Sequence, residues 1–367
     1  MNSVGVLEEQ AAIHHQILSL QLSWNCNAAC RHCLVDGDMS HSRVMPLSEA
    51  KQILGQLEQM PLTHHVGFSG GEAFLHYDFL LELGAFVQQK FGHSMGIATN
   101  CFWSTDRQRA RAMLSPLVDL GLSDLLISLD DFHLEYVDAR CVENCIHEAL
   151  ALGINVVVQT VKTKSSHGSR YFQEHLDIPS PPKVTWMEIP CHPVGRALAG
   201  LPESDYVYEW TNRPGYCTAL RVWSVDPFGG VTPCCGTAIA PPLQVGNALQ
   251  QPLSEIINQA NVNPLLNTIA AWGGPYMLIK VLEHNGDFRY SHRAFASHCH
   301  ACSTVLLDPE AMRILERDLP EHWLDALAAR LAAHTLWYRT TILQDESCRW
   351  LPGGWLPETE REVEPHV

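Results

Sequence analysis

The sequence predicts an α/β fold: a partial, TIM-like (β/α)6 barrel, then a smaller cysteine-rich domain and a helical tail. Three observations predict it. Short apolar runs alternate with longer helical patterns over residues 16–200, cysteines recur at ligand spacings after residue 211, and residues beyond 306 include an Ala/Leu-rich amphipathic stretch. Buried runs separated by helices indicate βα units and therefore a parallel sheet.

Six strand-like runs carry the barrel prediction. In chain order they are ILSLQL (17–22), HVGFSG (65–70), SMGIAT (94–99), DLLISLD (124–130), INVVVQTV (154–161) and VTWMEI (184–189). Helical patterns lie between them, including those at 47–60, 78–91 and 141–152. Barrel enzymes place their active sites at the C-terminal ends of such strands, so residues that follow the runs are candidate site residues.

The predicted domain boundaries follow changes in composition. Residues 1–15 form an N-terminal segment, and residues 16–200 form the barrel core. The Pro-containing segment 200–216 marks the boundary to a second domain over residues 211–305. Residues 306–367 are predicted to be a helical extension that ends in a mobile Pro/Glu-rich tail.

Composition excludes several classes of function. The formal net charge is −16, and no Lys/Arg cluster is visible, which argues against a nucleic-acid partner. No apolar run reaches the roughly 18 residues of a membrane helix, and the start MNSVGVLEEQ does not resemble a signal peptide. We therefore expect a cytoplasmic protein with no membrane partner, in which some of the 13 cysteines bind metal rather than form disulfides.

The first cysteine cluster, CNAACRHC, follows the first strand and contains Cys26, Cys30 and Cys33. A structural zinc site would need a fourth protein ligand, and His32 cannot easily serve because it adjoins Cys33. A cluster of four irons can instead be held by three thiolates, with one iron left open. A substrate or cosubstrate would bind to that open iron.

This cluster resembles the Cys-x3-Cys-x2-Cys motif of the radical S-adenosylmethionine (SAM) enzymes, which lies on the loop after the first barrel strand. His32 stands where the family usually has an aromatic residue, which is a departure. The resemblance implies a SAM-binding [4Fe-4S] cluster, with SAM chelating the open iron. It also implies an electron donor such as flavodoxin or ferredoxin, and reductive cleavage of SAM to a 5′-deoxyadenosyl radical that abstracts hydrogen from an unactivated C–H bond.

Other strand ends match positions at which the family contacts SAM. The GGE after the second strand looks like the family's Gly-Gly-Glu motif, in which glycines let the backbone approach the methionine part and the acid pairs with its ammonium. The SLD that ends the fourth strand looks like the ribose-contacting position, and the Asn of IATN is a similar match. An arginine after the sixth strand could contact the SAM carboxylate or a substrate anion, or form a salt bridge within its loop. The predicted SAM-binding residues are Gly70, Gly71, Glu72, Asn100, Ser128, Asp130 and Arg196.

The second cysteine set resembles the auxiliary-cluster domains of the SPASM/twitch type that follow many radical SAM cores. The resemblance rests on a cysteine, an Asp, a Gly before a second cysteine, a Gly-Asn turn with a helix, and a terminal Cys-x2-Cys. The position of Gly229 favours Cys234 over Cys235 as a ligand. The implied ligands of a second, auxiliary [4Fe-4S] cluster are Cys217, Cys234, Cys299 and Cys302. A structural zinc on the same cysteines stays open.

Two spare cysteines, Cys235 and Cys191, are candidate hydrogen donors, because radical epimerases in this family return a hydrogen atom from a thiol. Asp131 and His133 follow the fourth strand, where they could transfer protons or bind substrate, or could cap the next helix or lie in solvent.

The predicted function is that of a radical SAM oxidoreductase or epimerase acting on a small natural-product precursor such as an aminocyclitol, sugar or nucleoside. The reasons are the short auxiliary domain, the lack of a peptide-recognition domain before residue 16, and an acidic composition that suits a cationic substrate. One alternative is an enzyme that oxidises, crosslinks or epimerises residues of a ribosomal precursor peptide. Another is a non-enzymatic metal-binding protein, which would not cleave SAM.

Overall fold

The computed structural model describes residues 17–60, 63, 65–180, 182–209, 217, 222–234, 241–271 and 274–319. Within these ranges, nine strands form one sheet in the order β6-β5-β4-β3-β2-β1-β7-β8-β9. The strands are β1 Ile17–Ser23, β2 His65–Gly70, β3 Ser94–Thr99, β4 Leu122–Ser128, β5 Asn155–Lys162, β6 Val184–Pro190, β7 Val222–Val225, β8 Gly230–Thr232 and β9 Gly246–Asn247.

The strands β1 to β6 run parallel to their neighbours, which confirms the parallel α/β sheet that the sequence predicts. The remaining three strands of the sheet were not predicted. The strand β7 pairs with β1 in parallel, and β8 and β9 follow it in antiparallel order. The first strand of the barrel core is therefore an interior strand, and the cysteine-rich region continues the same sheet.

Of the helices within the described ranges, seven lie between strands in chain order and five follow β9. They are α1 Leu47–Leu54, α2 Tyr77–Phe91, α3 Arg107–Asp119, α4 Asp131–Leu134, α5 Ala139–Ala151, α6 Ser169–His175, α7 Ala197–Gly200, α8 Leu253–Asn261, α9 Pro264–Ala271, α10 Pro275–His284, α11 His298–Leu306 and α12 Pro309–Asp318. The predicted helix at 47–60 is split, because a 3-10 turn over Gly55–Gln59 follows α1. Of the predicted C-terminal extension, α12 is described, and the amphipathic stretch beyond residue 319 lies outside the described residues.

Side-chain alternation in β1 shows how the sheet divides core from site. Leu18, Leu20 and Leu22 are fully buried in the main apolar core. Ser19 and Gln21 alternate with them and therefore point to the opposite face. Because the six core strands are parallel, their C-terminal ends meet at one edge, where the loops that carry the predicted site residues begin. None of the described helices combines the length and apolarity needed to cross a membrane.

Candidate active site

The loop that follows β1, residues 26–38, is here called the cysteine loop. It closes on itself through two backbone hydrogen bonds: the amide of Cys26 donates to the carbonyl of Asp38 at 3.2 Å, and the amide of Cys33 donates to that of Cys30 at 3.1 Å. Cys26 and Cys30 are buried, and Cys33 is half-buried. The loop therefore holds three predicted ligands in a compact turn at the strand ends.

Several N–H groups of the chain point at these thiols. The amide of Ala28 donates to Sγ of Cys26 at 3.4 Å, and the amide of Gly37 donates to Sγ of Cys33 at 3.2 Å. The side-chain amide of Asn100 lies 3.9 Å from Sγ of Cys26. Hydrogen bonds to sulfur stabilise thiolate ligands and tune a cluster, so this environment fits cysteines that bind iron.

One group of three side chains at the strand ends has the spacing of a single-ion site, and it contains none of the loop thiols. Among the described residues, the only His, Cys, Asp and Glu side chains whose ligand atoms gather within 4.8 Å of one another in a group of three are His32, Asp130 and His133. Burial raises the pKa of Cys26 to about 12, so metal binding to this thiol would release a proton.

The glycines of the GGE motif are required by the end of β1 and the residues that lead from it into the cysteine loop. Gly70 has a φ of +132°, and a Cβ at this position would lie 2.1 Å from the carbonyl oxygen of Ser23. A Cβ on Gly71 would lie 2.1 Å from the carbonyl oxygen of Asn25. The amide of Gly71 donates to Ser23 at 2.8 Å. The sequence predicts glycine because SAM must approach the backbone. The structure adds a second reason, which is the close approach of the Ser23 and Asn25 carbonyls.

Glu72, the acid of the same motif, is buried beneath the cysteine loop, with 2% of its surface exposed. Its carboxylate accepts hydrogen bonds from the amide of Phe74 at 3.0 Å, the hydroxyl of Thr99 at 2.9 Å and the amide of Asn100 at 2.7 Å. Burial nevertheless raises the pKa of Glu72 to about 7. Its pairing with the SAM ammonium stays a prediction, and a buried carboxylate that ionises near neutral pH is suited to receive a cation.

We expect the pKa of Glu72 to give the metal-free protein a pH-dependent stability. The folded pKa of about 7 lies above the ordinary value of 4.5, so the contribution of Glu72 is complete below pH 4.5 and is lost as the pH rises through 7. The loss is roughly 3 kcal/mol. Between pH 5 and 8, the unfolding temperature of the wild type should therefore fall relative to that of Glu72→Gln. The exposed Glu255→Gln is the control, and parallel profiles for wild type and Glu72→Gln would contradict the expectation.

Asn100, predicted at the end of β3, connects this strand to the cysteine loop. Its side-chain amide donates to the side-chain oxygen of Asn27 at 2.9 Å, and its own oxygen accepts from the amide of Phe102 at 3.1 Å. The predicted Ser128 is the last residue of β4. Both residues lie at the strand ends where the sequence places them, and their contact with SAM stays a prediction.

Asp130 forms a buried charged pair with His133. Oδ1 of Asp130 lies 2.9 Å from Nδ1 of His133, and Oδ2 lies 3.5 Å from Nε2 of His32. Burial alone would raise the pKa of Asp130, but His133 and His32 outweigh it and lower that pKa below its ordinary range. Burial would likewise lower the pKa of His133, but Asp130 holds it well above its ordinary value.

His32, at the family's aromatic position, stacks on Phe132 with ring centroids 4.8 Å apart. Burial lowers the pKa of His32, which leaves the ring neutral. Its Nδ1 is buried and makes no hydrogen bond with the described residues. A bound cofactor could form the hydrogen bond that this buried nitrogen lacks, so this side of the cysteine loop is suited to contact a ligand.

The side chains of Asp131 and Cys191 lie in different surroundings. Asp131 accepts the amide of His167 at 2.7 Å and contacts its ring at 3.0 Å, a contact that the sequence did not predict, and its part in proton transfer or substrate binding stays a prediction. Cys191 is 1% exposed and lies in an apolar cluster with Cys26 and Cys30. Burial raises the pKa of Cys191 to about 12, so it is a thiol at neutral pH and carries a transferable hydrogen.

The second cysteine set lies beside β8 and on α11. Cys302 is buried, its pKa is raised well above the ordinary value by burial, and the nearby Cys217 and Cys234 raise it further. Cys299 lies one turn before Cys302 on α11. The structure thus brings Cys217, Cys234 and Cys302 near one another, and their binding of a shared cluster stays a prediction. Cys235 lies outside the described residues.

The contacts of Arg196 could not be predicted from the sequence. Arg196 was assigned to SAM, to a substrate anion or to a salt bridge, but its partners were not identified. In the structure they are Asp36, Asp38 and three backbone carbonyls of the cysteine loop. The geometry favours the salt-bridge alternative. The DGD that follows Cys33 was a signal of paired carboxylates, but local spacing could not say which cation they meet.

Two family models match the chain. A model described as the radical SAM superfamily matches residues 21–162, and a model described as an iron–sulfur cluster-binding domain, SPASM, matches residues 217–303. The first includes the cysteine loop and the ends of β2 to β4. The second includes all four cysteines of the second set.

The chain is also similar to named proteins. It is 23% identical over 311 residues to the "Putative peptide biosynthesis protein YydG" of Bacillus subtilis, covering 81% of this chain and 94% of that protein. It is 32% identical over 124 residues to the "Mycofactocin maturase MftC" of Mycolicibacterium smegmatis, covering 33% of this chain and 29% of that protein. The solved structure of Streptococcus suis SuiB bound to precursor peptide SuiA is 13% identical with a TM-score of 0.46, covering 81% of this chain and 78% of that one.

Proposed function

Because the chain belongs to the radical SAM superfamily and carries a SPASM domain, we propose that it is a maturase that modifies residues of a precursor peptide. Enzymes of this kind use a SAM-binding [4Fe-4S] cluster, SAM and auxiliary clusters. When bound, these groups supply a 5′-deoxyadenosyl radical that can take hydrogen from an unactivated C–H bond.

The observation that carries the peptide substrate is the match to a relative named for peptide biosynthesis, because it extends over 94% of that protein. A second relative is named as a maturase. The small-precursor interpretation rested on composition and on the length of the auxiliary domain, which are weaker criteria than a match over most of the chain. We therefore prefer the peptide-modifying alternative over the aminocyclitol, sugar or nucleoside substrate.

The residues take the following parts in this proposal. Cys26, Cys30 and Cys33 bind the cluster that holds SAM, and the ends of β2 to β4 contact SAM itself. The second cysteine set binds the auxiliary cluster. Support comes from the N–H groups that face the loop thiols and from the grouping of Cys217, Cys234 and Cys302.

The buried thiol of Cys191 is proposed as a hydrogen donor if the modification is an epimerisation. The S–H bond breaks, its hydrogen atom forms a new C–H bond on the substrate radical, and a thiyl radical is left on sulfur. One electron from the external donor and one proton then restore the thiol. The location of Cys191 beside Cys26 and Cys30 supports this part.

We expect peptide-sized material to stimulate SAM cleavage. The reduced, cluster-reconstituted enzyme is incubated with host extract separated into metabolite-sized and peptide-sized fractions, and 5′-deoxyadenosine is measured by chromatography. Stimulation by the peptide-sized fraction that is lost after protease treatment supports the proposal. Stimulation by the metabolite-sized fraction alone would instead support a small-molecule precursor as the substrate.

The same assay in D2O separates epimerisation from oxidation. A donor thiol exchanges its hydrogen with solvent, so an epimerised peptide gains deuterium. Cys191→Ala should then still form 5′-deoxyadenosine but lose the deuterated product. Cys145→Ala, another fully buried thiol, is the matched control and should keep both. A deuterated product from Cys191→Ala would show that Cys191 is not the hydrogen donor.

A further inference from the structure

The segment that follows β6, residues 191–201, lies directly on the cysteine loop. Gly195 has a φ of +58°, and a Cβ there would meet the carbonyl oxygens of Leu34 at 2.4 Å and Cys33 at 2.5 Å. The amide of Arg196 donates to the carbonyl of Cys33 at 3.0 Å. Backbone therefore packs on backbone here, between segments more than 150 residues apart in the sequence.

The side chain of Arg196 extends this contact along the loop. Its Nε lies 2.5 Å from a carboxylate oxygen of Asp36, and its Nη1 donates to the carbonyl of Cys30 at 3.2 Å. Its Nη2 contacts the carbonyls of Asp36 at 2.8 Å and Gly37 at 3.0 Å, and the carboxylate of Asp38 at 3.0 Å. All three guanidinium nitrogens thus face acceptors on one loop, and 18% of the side chain is exposed.

This pattern needs arginine rather than a positive charge alone. A planar guanidinium offers five N–H donors in a fixed fork, whereas the lysine ammonium is a compact charge with three. The acceptors include backbone carbonyls on both sides of Cys33 as well as two carboxylates. The guanidinium therefore fixes the orientation of the loop backbone and not only of the acidic side chains. Asp36, which receives two of these five contacts, has a φ of +54° and is therefore in the left-handed region.

We propose that Arg196 is a positioning residue that holds the cysteine loop in its binding conformation before iron enters. The clamp acts on the loop backbone and engages each of the three guanidinium nitrogens. This inference does not depend on the identity of the substrate.

The test compares hydrogen exchange of the full-length, metal-free chain in the wild type, Arg196→Ala and Arg196→Lys. The matched control is Arg170→Ala, which removes an exposed arginine that pairs with Glu174 within α6. In Arg196→Ala, amides of residues 26–38 should exchange at least about tenfold faster while β3 to β5 are unchanged, because only the local opening is affected. Arg196→Lys should give a smaller acceleration, and Arg170→Ala none.

A second readout follows reconstitution with iron and sulfide. Arg196→Ala should lose the iron bound to the cysteine loop and retain that of the second set. Unchanged exchange over residues 26–38, or equal acceleration throughout the chain, would overturn the proposal. So would a variant with normal exchange and iron content but weakened SAM binding, because Arg196 would then act on SAM directly. No peptide enters these measurements, so their failure is separate from failure of the proposed function.

Discussion

Replacing Cys26, Cys30 and Cys33 together with Ala is expected to abolish 5′-deoxyadenosine formation while the chain keeps about four irons. The reason is that the two cysteine sets are separate in the structure. The loop thiols lie after β1, and the second set lies beside β8 and on α11. Iron and acid-labile sulfide per chain, measured after anaerobic reconstitution, together with 5′-deoxyadenosine by chromatography, test both parts of this result.

The control for this variant removes other buried thiols. Cys141 and Cys145 lie one turn apart on α5 and belong to neither set. The double variant Cys141→Ala, Cys145→Ala should retain iron and SAM cleavage. An iron-free triple variant would refute the second cluster, and a triple variant that still forms 5′-deoxyadenosine would refute the assignment of the cysteine loop. Zinc bound by the triple variant in place of iron would identify the second set as a structural zinc site.

Substituting Gly71 with Ala is expected to destabilise the protein by more than about 3 kcal/mol, a large share of the stability of an ordinary domain. The added Cβ would lie 2.1 Å from the carbonyl oxygen and 2.5 Å from the carbonyl carbon of Asn25, and 2.7 Å from the carbonyl oxygen of Trp24. These are backbone atoms, so no side-chain rotation relieves the overlap. The backbone of Trp24 and Asn25, which leads into the cysteine loop, must move, so the unfolding temperature and the iron content should both fall.

Gly55→Ala is the matched control for this substitution. Gly55 has a helical backbone conformation, and the nearest atom to an added Cβ is Nζ of Lys90 at 3.9 Å. Alanine should therefore be neutral or slightly stabilising at this position. If Gly71→Ala unfolds at the same temperature as Gly55→Ala, the close approach of Gly71 to the backbone of Trp24 and Asn25 is wrong.

The substrate illustrates a limit of composition as evidence. An acidic sequence and a short auxiliary domain favoured a small cationic precursor, but net charge describes the whole surface and not the site. Similarity along most of the chain favours a peptide instead. A peptide-recognition element need not show itself as a separate domain before the first strand, so its apparent lack was weak evidence against a peptide.

The sequence by itself determined β1 to β6 and the cysteine loop. Apolar runs and Cys-x3-Cys-x2-Cys spacing are local patterns, so they can be recognised without knowing which residues they contact in the fold. It also identified Gly70, Gly71 and Glu72 as important. Only the tertiary structure decided that β7 pairs with β1, that these glycines are required by the carbonyls of Ser23 and Asn25, and that Arg196 clamps the cysteine loop. Each of these is a contact between distant parts of the chain. A local pattern states what kind of partner a group needs, while folding selects which of many such partners it meets.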